Sequence, residues 1–153
     1  MQVSDFIRDD LVVLDLKASS KEDAIRQLTQ RLHDVGAVRD VEDFFREVME
    51  REKLGTTAVG HGVSLPHART EKLDDIVVAM GRCNNGVDFG AEDGQPVKLI
   101  FLIGTPLKEV NRYLKLLAGL SRMLRRKEVR HALLAARNAE EVRKAMEDVH
   151  QEV

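Results

Sequence analysis

Two of the chain's five histidines, His61 and His67, lie in TTAVGHGVSLPHART, the run from Thr56 to Thr70. Glycines at 60 and 62 let backbone approach a bound group closely, and Pro66 fixes the direction of the chain into His67. An imidazole held in this way can serve as a nucleophile, a metal ligand or a structural hydrogen-bonding group.

Each role asks something different of the neighbouring residues. Zinc needs three or four protein ligands at suitable spacing, and HGVSLPH offers two histidines with no adjacent Cys, Asp or Glu. No metal is therefore expected. Dinucleotide binding through Gly60-His61-Gly62 lacks both the third glycine and a helix opening directly after it, so the anion-binding helix start is missing. Covalent phosphohistidine chemistry needs less. One neutral ring nitrogen attacks phosphorus while the other is held by a hydrogen bond that fixes the tautomer. The phosphoryl oxygens then want a cation and backbone N–H groups, because positioning and charge stabilisation dominate such transfers. Arg51 and the amides around Gly60 and Gly62 are candidates for both. The plainer alternative stays open on residue chemistry alone: His67 capping a strand and Arg51 standing as a surface cation.

The elements that position these residues are readable in outline. The segment SSKEDAIRQLTQRLHDVG pairs Ser20 with Asp23 as a helix N-cap and sets Ala24, Leu28 and Leu32 at helical spacing, ending at Gly36. DVEDFFREVMEREK starts similarly at Asp40 and Asp43, puts Phe44, Val48 and Met49 on one face, and ends at Gly55. DIVVAMGRC and PVKLIFLIG, both short and aliphatic, predict buried strands. Between them NNGVDFGAEDGQP predicts turns around a short extended piece, Val87 to Phe89. Thr105 and Pro106 predict the N-cap and first position of a long helix, with Val110, Leu114, Leu117 and Leu124 along its apolar stripe. KEVRHALLAA and NAEEVRKAMEDV predict two more helices, the last capped by Asn138 with Glu141. Strands alternating with helices give an α/β fold, a sheet covered by helices on both faces.

At 153 residues the chain fits one domain, 1–153. With 43% hydrophobic residues, 33% charged residues and a formal net charge of -2, it has the composition of a soluble globular protein. That balance argues against a nucleic-acid partner. The local cluster Arg122, Arg125, Arg126, Lys127 and Arg130 reads as a solvated helix end. The single cysteine, Cys83, lies in an apolar run and predicts a buried, inert thiol. The N-terminus lacks the features of a signal peptide and LIFLI is too short to span a bilayer, so no membrane insertion is expected and the cytoplasm is the expected compartment.

From Met49 to Ala68 the run MEREKLGTTAVGHGVSLPHA resembles the active-site segment of the fructose/mannitol-type enzyme IIA domains of the phosphoenolpyruvate-dependent phosphotransferase system. The similarity continues through FGAEDGQPVKLIFLIGTP and the long helix. It implies a single α/β domain with a mixed β-sheet flanked by helices on both faces, and a phosphoryl carrier that uses no cofactor. By the same resemblance His67 takes the phosphoryl group from the phosphocarrier HPr or a nitrogen-branch homologue, and Arg51, His61, Gly62 and Tyr113 bind it. The run is most similar to that of the nitrogen-regulatory IIA proteins, which implies a regulatory role and regulatory target proteins. A sugar-specific subunit that passes the group to an enzyme IIB is the alternative. At two positions the chain departs from the family pattern. His61 replaces an acidic or amide residue, and Tyr113 stands where a second histidine is common, so a binding module without transfer is a third reading.

Overall fold

Val78 and Met80 turn their side chains to one side of a strand and Ala79 to the other, and all three are buried. Such a strand needs cover on both faces. In the computed structural model, which describes residues 2–147, that cover consists of two helical layers.

The chain opens with two short 3-10 turns, Val3–Phe6 and Asp9–Leu11, and a two-residue strand, β1 (Val12–Val13). Helices α1 (Lys21–Asp34) and α2 (Val41–Lys53) follow, capped as their sequences predict. The Ser20 hydroxyl accepts from the Asp23 amide and the Asp40 carboxylate from the Asp43 amide, each at 3.0 Å. Next come β2 (Ala58–Gly60), β3 (Val63–Ser64) and β4 (His67–Arg69), then the two long strands β5 (Val77–Val87) and β6 (Val97–Thr105). Helices α3 (Val110–Arg125), α4 (Lys127–Ala135) and α5 (Ala139–Ala145) complete the described chain.

The six strands form one mixed sheet ordered β1-β5-β6-β3-β2, with β4 paired to β6 alone. The β5–β6 pair is antiparallel, whereas β3 and β4 run parallel to β6 at successive registers, Val63 opposite Leu99 and His67 opposite Ile103. Leu99, Phe101 and Ile103 pack under α3, α4 and α5, while Ile100 and Leu102 pack under α1 and α2. Each of these fully buried side chains contributes about 1.5–3 kcal/mol, so β6 is the shared spine of both cores. Among the described residues no helix is long and apolar enough to cross a membrane.

Three expectations need correction. The segment after Cys83 continues β5 as far as Val87, which pairs with Val97. Gly86 permits this: its φ is +80°, and a Cβ there would lie 2.7 Å from the Pro96 ring, so a bulge replaces the expected turn. Thr105 and Pro106 do not start the long helix. Thr105 is the buried last residue of β6, Pro106 is extended, and a 3-10 turn at Leu107–Glu109 precedes α3. The inward stripe of α3 is Tyr113, Leu116, Leu120, Met123 and Leu124, and Leu114 is 53% exposed. This helix carries apolar residues around most of its circumference, so more than one stripe fits the helical period. The final helix opens as expected, with Asn138 accepting from the Glu141 amide, and part of its predicted extent, 148–149, lies outside the described residues.

Candidate active site

Pro66 has no N–H to give to a ladder, and it divides what would be one longer strand beside β6 into β3 and β4. Its own carbonyl still accepts from the Ile103 amide at 2.9 Å, which keeps the segment on the sheet. The break turns the Leu65 carbonyl toward the next side chain but one, and His67 Nδ1 meets it at 3.0 Å. A carbonyl only accepts, so Nδ1 carries the proton and Nε2 is left as the basic ring nitrogen.

The half-buried imidazole is held below the ordinary imidazole pKa. Burial is the largest cause; the Leu65 hydrogen bond opposes it, the Arg51 charge adds to it, and the Glu52 charge opposes it again. Neutral imidazole is the form able to attack an electrophile.

His67 stands on the edge strand where the two helical layers meet, and both layers reach it. Its neighbour Ala68 packs into the core under α1 and α2, whereas the ring faces α3. From α3 the Tyr113 ring lies 5.8 Å away, centroid to centroid, tilted by 48°. From α2 comes Arg51, which lines a recess with His67 together with Thr56, Thr57, Leu65, Leu117 and Ser121. Arg51 Nη1 donates to the Gly55 carbonyl at 2.8 Å, which fixes the guanidinium across the end of α2. Burial raises the pKa of the Tyr113 phenol, against the charges of Arg69 and Arg51, so the hydroxyl stays a donor. Among the described residues no three His, Cys, Asp or Glu side chains are grouped to hold a metal ion.

The family profile described as "Phosphoenolpyruvate-dependent sugar phosphotransferase system, EIIA 2" matches residues 5–149. The chain belongs to this family. It is 34% identical over 142 residues to a nitrogen regulatory protein of Bradyrhizobium diazoefficiens, covering 93% of this chain and 92% of that one. It is 36% identical over 140 residues to the fructose-specific EIIA component of Haloferax volcanii, covering 92% and 91%. The crystal structure of the nitrogen regulatory protein IIA-Ntr from Neisseria meningitidis superposes with a TM-score of 0.89 at 30% identity, covering 95% of this chain and 99% of that one.

Of the five EIIA site residues named from sequence, the structure brings His67, Arg51 and Tyr113 together and places His61 and Gly62 in the neighbouring hairpin turn. Gly60, His61 and Gly62 all have positive φ, and His61-Gly62 forms the two-residue turn of the β2–β3 hairpin. The Asp93 carboxylate accepts from the His61 amide at 3.0 Å, and the Gly62 carbonyl accepts from the Lys98 and Leu99 amides. His61 and Gly62 line a recess shared with Gln95, Lys98, Arg130 and His131, and His61 also lines one bounded by Thr56 and Val59, which border the His67 recess as well. The ring set against His67 is that of Tyr113, and His61 lies beside the pocket in the hairpin turn. Its glycines serve a tight reversal of the chain.

Sequence reasoning passed over Thr56, Thr57 and Ser121, which line the His67 recess, and the buried Glu52 beside Arg51. Two had a signal. Glu52 continues the buried Phe44–Val48 row by one more turn, so a carboxylate there falls on the core face. Ser121 follows Tyr113 and Leu117 at helical spacing along the face of α3 that looks onto His67.

Proposed function

We propose that this chain is a cytoplasmic phosphohistidine carrier, accepting a phosphoryl group from an HPr-like phosphocarrier on Nε2 of His67. The observation that carries this reading is the Leu65 carbonyl against Nδ1: it fixes the ring so that the remaining nitrogen has its lone pair free beside a fixed arginine. As Nε2 bonds to phosphorus, charge grows on the phosphoryl oxygens, and the guanidinium of Arg51 is the cation placed to meet it. The Tyr113 hydroxyl adds a neutral donor where a second histidine would add a charge.

Near full-length similarity to nitrogen regulatory proteins supports a regulatory role with protein targets. The 36% identity to a fructose-specific EIIA component favours the second reading, in which the group passes on to an enzyme IIB. Incubation with phosphoenolpyruvate, enzyme I and HPr, followed by intact-mass measurement, tests the carrier reading. An acid-labile phosphoryl adduct on the wild type that disappears in His67→Ala is expected. An unlabelled wild type would leave the third reading, a binding module without transfer. Adding an enzyme IIB domain to the labelled protein then separates the two roles, since a transport subunit discharges to it and a regulator retains its label.

A further inference from the structure

Next to Arg51 on α2 is a buried carboxylate, Glu52, that the transfer scheme leaves unused. The Glu52 side chain is 1% exposed. One of its oxygens accepts from the Thr57 hydroxyl. The other, Oε2, makes no hydrogen bond and has Lys21 Nζ from the start of α1 at 3.5 Å. As a stabilising device this arrangement is poor, because a buried ion pair with an unsatisfied oxygen is often no better than an apolar substitute.

Its connections lead to the imidazole. The Thr57 carbonyl accepts from the Leu65 amide at 3.0 Å, and the Leu65 carbonyl is the group that takes the His67 Nδ1 proton at 3.0 Å. Lys21, Glu52, Thr57 and Leu65 thus form a continuous chain of polar contacts from α1, through α2 and the segment before β2, to the ring. We propose that Glu52 is a positioning residue for His67: through Thr57 and Leu65 it holds the carbonyl that orients the imidazole, and its negative charge faces the ring during transfer.

The electron count gives that charge a purpose. The Nε2 lone pair forms the new N–P bond, and the bond from phosphorus to the donor breaks, its electron pair leaving with the donor. Nδ1 keeps its proton, so the ring becomes cationic as the phosphoryl group arrives. Arg51 suits the phosphoryl oxygens and opposes a cationic ring; Glu52 suits the ring. The charged and titratable groups around His67 are Arg51 and Glu52 from α2, Tyr113 from α3 with Arg69 of β4 beside it, and Lys21 behind Glu52. Glu52 is the one whose charge raises the imidazole's pKa, in line with the geometry.

The inference rests on His67 being the acceptor, so its test needs a readout that does not depend on labelling. Glu52→Gln, Thr57→Val and Thr57→Ser are compared with the wild type by labelling rate and by NMR titration of the His67 ring in the unphosphorylated protein. Glu52→Gln should label about ten-fold more slowly, by analogy with the loss of a hydrogen-bonding partner behind a metal-bound histidine. Its His67 should titrate at lower pH than in the wild type, because a negative charge has gone while the Lys21 charge remains. Thr57→Val should slow labelling and Thr57→Ser should restore it; this pair decides the matter if Glu52→Gln does not fold. Wild-type labelling rates in Glu52→Gln and Thr57→Val, with an unshifted His67 titration, would overturn the proposal. If the wild type takes no label, the carrier reading fails, and the titration still judges whether Glu52 acts on the ring.

Discussion

Arg51 and His61 flank the same run of sequence yet meet different environments, and the contrast sets up a test. Arg51 has five N–H donors in a rigid fork and uses Nη1 to hold the Gly55 carbonyl, which orients the others. Arg51→Ala should slow phosphorylation by about 2–4 kcal/mol of barrier, roughly 10²–10³-fold, while costing only about 1 kcal/mol of stability. Arg51→Lys should recover part of the rate, since a point charge lacks the fork. Comparing labelling rates with urea midpoints checks both, and an unchanged rate in Arg51→Ala would place it outside the reaction. His61→Glu, in contrast, should change the labelling rate far less than Arg51→Ala, because His61 lies in a hairpin turn beside the recess that Arg51 and His67 line together. At this scale the sequence made His67 and Arg51 legible through their residue types and motif. It did not reveal that His61 forms a hairpin turn, because a glycine-histidine-glycine run suits a phosphate cradle and a tight turn equally well, and only the pairing of β2 with β3 makes the turn.

At the scale of elements, Arg82 stands near the end of the aliphatic run that the sequence marks as a buried strand, with no local reason for its presence. The fold supplies one. Its Nη1 donates to the carbonyls of Leu133 at 2.9 Å and Ala136 at 2.7 Å, closing the C-terminal end of α4, and its Nε donates to the Leu14 carbonyl at 3.1 Å. One side chain thereby ties the start of the sheet to the last helices. Arg82→Met keeps the apolar stem and strips the donors, and should cost about 2–4 kcal/mol in urea unfolding, with labelling of the folded protein unaffected. A midpoint equal to that of the wild type would show that water replaces these contacts. Helix starts at Ser20, Asp40 and Asn138 were legible because a cap is a local device of a few residues. The start of α3 was not, because Thr105 is drawn into β6 by pairing with Arg69, a contact remote in sequence.

Across the whole molecule, the two cores on either side of β6 make acid sensitivity and thiol reactivity global properties. The folded state lowers the pKa of His67, chiefly by burial, so the unfolded chain takes up that proton first. Above about pH 6.5 the group is neutral in both states and contributes no pH dependence; below it, stability is lost as pH falls. His67→Gln should therefore lose less stability than the wild type between about pH 7.5 and about pH 5.5, a range that brackets the reference value, as read from urea midpoints. A wild-type loss no greater than the variant's would contradict the burial effect. Burial, with the Asp23 charge adding to it, pushes the Cys83 thiol up to about 11. Native protein near neutral pH should resist iodoacetamide, and alkylation should rise along the unfolding transition; rapid alkylation without denaturant would mean that β5 opens on its own. The pairing of β4 with β6 alone also bears on association between molecules. A reactive histidine that proteins must reach belongs at an open sheet margin, and an open margin invites a foreign strand to add itself permanently. Here the margin is three residues long, begins directly after a proline and ends in the exposed charge of Arg69. It is too short and too interrupted to template a further strand, which on the proposed carrier reading lets partners reach His67 and leave.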